Sequence, residues 1–200
     1  HTNTNFDPIN YPINYQSQLN DLNDLGVIVG SSVFTDSADI RFSPFTYRDE
    51  IFTTSKAVYF IDNKVESFIN HAEWEGSNAL AINNKNIITG TVRKNWYQGP
   101  DRMFVYDISA KKLTLPADFF SSATTTPEAI NNNNMIVGTT EIFTTGSSTR
   151  RNVGFMYDLT ADRFTNLNDL LPCNSGYTII SAMDINDKNV IVATAVKSSD

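Results

Sequence analysis

Few residues in this 200-residue chain are of types that perform chemistry, and their spacing restricts what they could do. His1 stands at the terminus and His71 stands alone in Asn70-His71-Ala72-Glu73, so neither a histidine metal cluster nor a Ser-His-Asp relay is set up. Cys173 is the single cysteine, which excludes an internal disulfide and a multi-cysteine zinc site. In Leu171-Pro172-Cys173-Asn174-Ser175-Gly176 it has no basic neighbour to lower its pKa, and a loop or partly buried thiol is expected. Asp62, Asp107 and Asp158 recur along the chain and could be imagined as convergent carboxylates; placed before polar tips, they read instead as hairpin formers. Asp21-x-Asn23 and Asp184-x-Asn186 have oxygen spacing that suits calcium, but neither runs on into the Gly and distant Glu of a calcium loop. The chain has no Gly-rich phosphate loop and no G-x-S-x-G elbow. The expectation is therefore no catalytic residue, no metal ligand and no cofactor, with calcium as the less favoured alternative.

The remaining lead is aromatic. Trp74 in Glu73-Trp74-Glu75-Gly76, and Trp96-Tyr97 in Asn95-Trp96-Tyr97-Gln98-Gly99-Pro100, fall between predicted strands. An exposed indole there could stack on a sugar or a partner side chain. The competing and stronger reading is that these rings seal the space between adjacent sheets, given the area they bury.

Composition narrows the partners. A formal charge of -7 and a pI near 4.7, without a cluster of Lys and Arg, argue against a phosphate-tracking surface and hence against nucleic acid. Arg150-Arg151 and Lys111-Lys112 are isolated pairs that suit solvated turns. No apolar run reaches the roughly 18 to 20 residues of a membrane span, and residues 1–20 lack the basic start and apolar middle of an export signal. Hydrophobic residues make up 40% of the chain, enough for a folded domain or one piece of an array.

The elements that must position any site emerge from self-similarity. A nine-residue segment occurs four times: Leu22-Asn23-Asp24-Leu25-Gly26-Val27-Ile28-Val29-Gly30, Ile82-Asn83-Asn84-Lys85-Asn86-Ile87-Ile88-Thr89-Gly90, Ile130-Asn131-Asn132-Asn133-Asn134-Met135-Ile136-Val137-Gly138 and Ile185-Asn186-Asp187-Lys188-Asn189-Val190-Ile191-Val192-Ala193. The leading asparagines lie 60, 48 and 55 residues apart, near the roughly 40 to 50 residues of a propeller blade. In each copy the apolar first residue ends a strand, and the Asn can bond its own backbone two residues on, starting a tight turn. Two permissive positions follow. The fifth position is Gly26, Asn86, Asn134 or Asn189, the residue types that most readily take positive φ. This predicts a hairpin whose type I turn is followed by a left-handed residue. The apolar run after the turn predicts a strand covered on both faces, and the closing Gly30, Gly90, Gly138 or Ala193 predicts close approach of another backbone.

A second piece repeats with the first: Val58-Tyr59-Phe60-Ile61-Asp62, Met103-Phe104-Val105-Tyr106-Asp107 and Gly154-Phe155-Met156-Tyr157-Asp158, each followed by a polar tip and a further strand. Pro44-Phe45-Thr46-Tyr47-Arg48 partly resembles it, so the first unit is expected to carry an extra hairpin within residues 31–56. The fold class expected is all-β: a β-propeller or propeller-like array of about four antiparallel blade units, or a fragment of a larger propeller. Residues 1–18 read as an N-terminal extension, beginning with the polar His1-Thr2-Asn3-Thr4-Asn5. Residues 19–200 read as one repeat domain with units at about 19–69, 70–115, 116–169 and 170–200.

The pattern Ala-x-x-Ile-Asn-x-x-Gly-x-Ile-Val-Gly followed by Ala-Phe-x-Tyr-Asp resembles the bacterial HAF repeat and a related uncharacterised family of secreted proteins from Gram-negative bacteria. The resemblance covers most of residues 19–196, although the turn Gly is kept only at Gly26 and is Asn elsewhere. It implies export to the periplasm, cell surface or medium and a propeller-like array. It transfers no catalytic or ligand residue.

The function expected is a non-enzymatic binding or scaffold module, with a glycan or another cell-surface protein as partner and Trp74, Trp96 and Tyr97 as candidate contacts. The alternatives are a propeller enzyme, a lyase or glycan hydrolase with loop-borne carboxylates, and a purely structural segment of a cell-surface assembly. Exposed sheet edges would favour dimerisation.

Overall fold

The computed structural model describes residues 17–43, 48–69, 73–94, 100–117, 124–143 and 149–197, with the backbone alone described for 34–43, 48–53 and 143. Three four-stranded antiparallel meanders and a two-stranded sheet follow one another along the described residues. The first contains β1 (Ser17–Leu22), β2 (Ile28–Ser43), β3 (Arg48–Ile61) and β4 (Lys64–Ser67), adjacent in that order. The second contains β5 (Gly76–Ile82), β6 (Ile87–Arg93), β7 (Arg102–Asp107) and β8 (Lys112–Thr114). The third contains β9 (Thr125–Ile130), β10 (Met135–Phe143), β11 (Arg150–Asp158) and β12 (Arg163–Asn166). A 3-10 turn at Leu167–Leu170 leads to a two-stranded sheet of β13 (Tyr177–Ile185) and β14 (Ile191–Lys197). The class is all-β and the arrangement is propeller-like.

Each apolar first residue of the repeat, Leu22, Ile82, Ile130 or Ile185, ends a strand that pairs with the strand leaving the turn. Opposite the glycine that closes each of the first three repeats, the partner strand is irregular in register. The cause is steric: a Cβ on Gly30, Gly90 or Gly138 would overlap the carbonyl oxygen of Gln18, Asn78 or Thr126. The bulged strand therefore crosses the glycine at a distance that no side chain permits. In the fourth sheet Ala193 stands opposite Ala182, and the register shifts between Ala182 and Asp184.

The core lies between successive sheets and is not pooled at one centre. Val27 and Val29 of the first unit pack with Ala79, Ile82 and Ile88 of the second, around Trp74 and Phe104. Ile87, Met103 and Val105 meet Ile130, Ile136 and Phe155 of the third. Val137 and Leu167 meet Ala182 and Ile185 of the fourth. Complete burial of a side chain such as Ile88 or Phe155 contributes about 1.5–3 kcal/mol. Successive β units are thus held mainly to their neighbours, as in other repeat architectures.

Three sequence expectations require correction or refinement. Coverage of the post-turn strand on both faces applies to β6 and β10, and nearly to β2, but not to β14, which is exposed along most of its length. The aspartates of the aromatic strands are not equivalent. Gly30, Gly90 and Gly138 lie opposite Val58, Phe104 and Phe155, so Phe60, Tyr106 and Tyr157 correspond. Asp62 then falls beyond its strand, in a two-residue turn with Asn63 at φ 50 and 60, the geometry of a type I′ hairpin. Asp107 and Asp158 instead end their strands and accept hydrogen bonds from the amides of Ala110, and of Thr160 and Ala161. The extra hairpin of the first unit is a prolongation of β2 and β3, paired out to Ser43 and Arg48, with an irregularity between Thr35 and Ile40. Residues 44–47 lie outside the described residues.

Candidate functional site

The four asparagine turns have the same backbone construction. Asn23, Asn83, Asn131 and Asn186 each accept, through the side-chain oxygen, from the amides two and four residues on, at 2.9–3.1 Å. Their carbonyls accept from the amides of Gly26, Asn86, Asn134 and Asn189. Those fifth-position residues have φ of 79, 60, 64 and 59, which explains the restriction to Gly and Asn.

The turns also bond to one another. The Nδ2 group of Asn23 donates to the Asn83 carbonyl at 3.0 Å and to Asn86 Oδ1 at 2.8 Å. Asn83 donates likewise to Asn131 and Asn134, and Asn131 to Asn186 and Asn189. Each amide thereby joins its own turn to the next. Asn23, Asn83 and Asn131 are each only 4% exposed, and a buried carboxamide needs this full set of partners.

A second ladder runs alongside through the third position, which sequence reasoning treated as permissive. The amide of Asp24 donates to Asn84 Oδ1, that of Asn84 to Asn132 Oδ1 and that of Asn132 to Asp187 Oδ1. Asn84 Nδ2 returns a bond to Asp24, and Asn132 Nδ2 donates a second bond to Asp187. The available signal was that all four third positions are Asn or Asp. Hydrogen bonds from Asn132, with a contribution from the Lys85 cation, hold the Asp187 carboxyl below its usual range.

Together the four turns surround a concavity of about 290 Å³, lined from Leu22–Asp24, Ile82–Asn84, Ile130–Asn132 and Ile185–Asp187. It is the place where all four units converge. Its polar lining is largely committed to the two ladders, so it presents a fixed hydrogen-bonding surface and not a free nucleophile or base. Glu128, in β9, differs: the residue is exposed, yet desolvation by the neighbouring protein raises its carboxyl above the ordinary value. A second hollow of about 260 Å³, between the first two sheets, is lined by Ser55, Ser77, Asn78, Thr91, Arg93 and Asp101. Arg93 there donates two bonds of 2.7 Å to Asp101, and this pairing raises the guanidinium pKa.

The structure separates the other candidates. Trp74 is 4% exposed within the core between the first two sheets, which corrects its reading as a stacking platform and places it as an inter-sheet seal. Trp96, Tyr97 and His71 lie outside the described residues. Cys173 is exposed. The calcium-like spacings are engaged in backbone bonding: Asp21 accepts from Leu22 and Ile82, and Asp184 from Ile185. Among the described residues no three His, Cys, Asp or Glu side chains cluster as metal ligands, and no helix is long and apolar enough to cross a membrane.

These sheets and asparagine ladders define a propeller-like β-repeat protein. Residues 6–200 match the family described as protein of unknown function DUF3466, and the chain belongs to that family. No curated protein matches it.

Proposed function

We propose that the chain is a non-enzymatic binding or scaffold module of an exported protein, working in the periplasm, at the cell surface or in the medium. The observation that supports this reading is the use of the convergent polar side chains. Where all four units meet, the asparagines and aspartates bond to each other and to turn amides, giving a rigid platform that presents loops. An enzyme of the lyase or glycan-hydrolase class would call for two perturbed carboxylates facing one pocket. Desolvation raises the Glu128 carboxyl, which supplies half of such a pair. The partner proposed is a glycan or another cell-surface protein, bound without a cofactor, with Trp96 and Tyr97 as the remaining aromatic contacts from the sequence. Export rests on the resemblance to HAF-repeat proteins.

The test is a glycan panel run with and without a chelator, on the wild type and on Trp96→Ala and Tyr97→Ala. Saturable binding that survives chelation and is lost in either variant supports the binding role. Turnover of a glycan that disappears in Glu128→Gln overturns the proposal in favour of the enzyme. With neither binding nor turnover, the binding half falls and the scaffold role stands alone.

A further inference from the structure

The asparagine ladder has a direction, and among the described residues its last rung is unfilled. In the first three units the Asn amide donates forward to the next turn, to a backbone carbonyl and to the side-chain oxygen of a fifth-position Asn. Asn186 keeps the acceptor half of this arrangement, capping the amides of Lys188 and Val190, but its Nδ2 donates to nothing among the described residues. The apolar surface repeats the same asymmetry. Val27 and Val29, packed against the second unit, are 1% and 0% exposed. By the register of the repeat their counterparts are Val190 and Val192, which are 59% and 60% exposed. Met183 and Val196 extend this exposed surface in the same sheet. Among the described residues β14 pairs with β13 on one side only, whereas β2, β6 and β10 each have a strand on both sides.

We infer that this face is a docking surface for a further unit of the same repeat, one whose turn carries Asn at both the leading and the fifth positions. Continuity with three existing interfaces supports this occupant, since each pairs forward-facing apolar residues with an Asn amide donating to two acceptors. The identity of the first turn argues against a second copy of this chain docked through its own first unit. Gly26 stands there in place of Asn, so a copy would offer the Asn23 carbonyl without the side-chain acceptor. The occupant also supplies an aromatic strand to the free edge of β14, with its Phe opposite Ala193 and its Tyr opposite Ile191, as Phe155 and Tyr157 stand opposite Gly138 and Ile136. This assembly role is independent of any ligand and goes beyond the binding or scaffold proposal.

The experiment extends the full chain at its C-terminus with a duplicate of residues 144–197, which brings its own aromatic strand and an Asn186/Asn189-type turn. Asn186→Asp keeps the capping oxygen and removes the forward donor. In the 200-residue chain this substitution is expected to leave the urea midpoint unchanged or raised. In the extended chain it is expected to lower the midpoint as much as Asn131→Asp does in the parent. Val192→Glu serves as a second probe, neutral in the parent and destabilising in the extension. Equal effects of either substitution in both chains would overturn the inference, as would proteolytic trimming of the appended segment back to the parent. It would also be overturned by concentration-dependent dimerisation of the parent that Val192→Glu abolishes, because the occupant would then be a second copy.

Discussion

Asn83 uses its whole side-chain amide: the oxygen accepts from Lys85 and Ile87, and the NH2 group donates to Asn131 and Asn134. Truncation leaves several buried partners unpaired at once, each costing about 1–3 kcal/mol before relaxation. Asn83→Ala is therefore expected to lower unfolding stability by about 3 kcal/mol, and Asn186→Ala, which loses only the exposed capping bonds, by about 1 kcal/mol. Urea denaturation of the two variants side by side measures the forward bonds as the difference. Glu128 gives a pH test. Desolvation raises its folded-state pKa above the ordinary 4.5, so its ionisation weakens the fold. Its favourable contribution is complete below the unfolded pKa and is lost as pH rises through the raised folded value. Glu128→Gln should thus be more stable than wild type near neutral pH, with the difference closing below about pH 4. Urea midpoints across that range would expose the opposite trend.

At the scale of the strand, the turn glycines and the closing glycines have different purposes. Gly26 supplies a positive φ in open space, while Gly90 makes room for the Asn78 carbonyl and the Phe104 ring. Gly90→Ala should force the bulged β5 away from β6 and cost about 3 kcal/mol, near the upper end of ordinary overpacking. Gly76→Ala, whose Cβ would only touch the Arg93 side chain at 4.0 Å, should be neutral or stabilising by up to about 1 kcal/mol. Thermal melts of the pair separate the steric requirement from the general effect of removing a glycine.

For the whole molecule, stability is expected to follow the stacking. β6 and β10 have hydrogen-bonded strands on both sides and a neighbouring unit on each face; among the described residues β14 has one strand partner, and it is exposed along most of its length. Native-state hydrogen exchange should therefore show the amides of β14 opening at lower free energy than those of β6 and β10. Equal protection across all three would mean that the array unfolds as a single cooperative block.

The repeat by itself determined much of the local structure, because an Asn that caps its own turn and a left-handed fifth position are local requirements that write themselves into residue type. The all-β class and the nearly regular spacing followed for the same reason: each turn joins two apolar strands of fixed pattern. The third-position ladder, the burial of Trp74 and the displacement of Asp62 into a two-residue turn were not legible, since each depends on which residue of another strand lies opposite or overhead. The same is true of the concavity and the unfilled rung at Asn186. A turn's sequence specifies its own bend, but only the stacking of units decides which amides meet and which face is left uncovered.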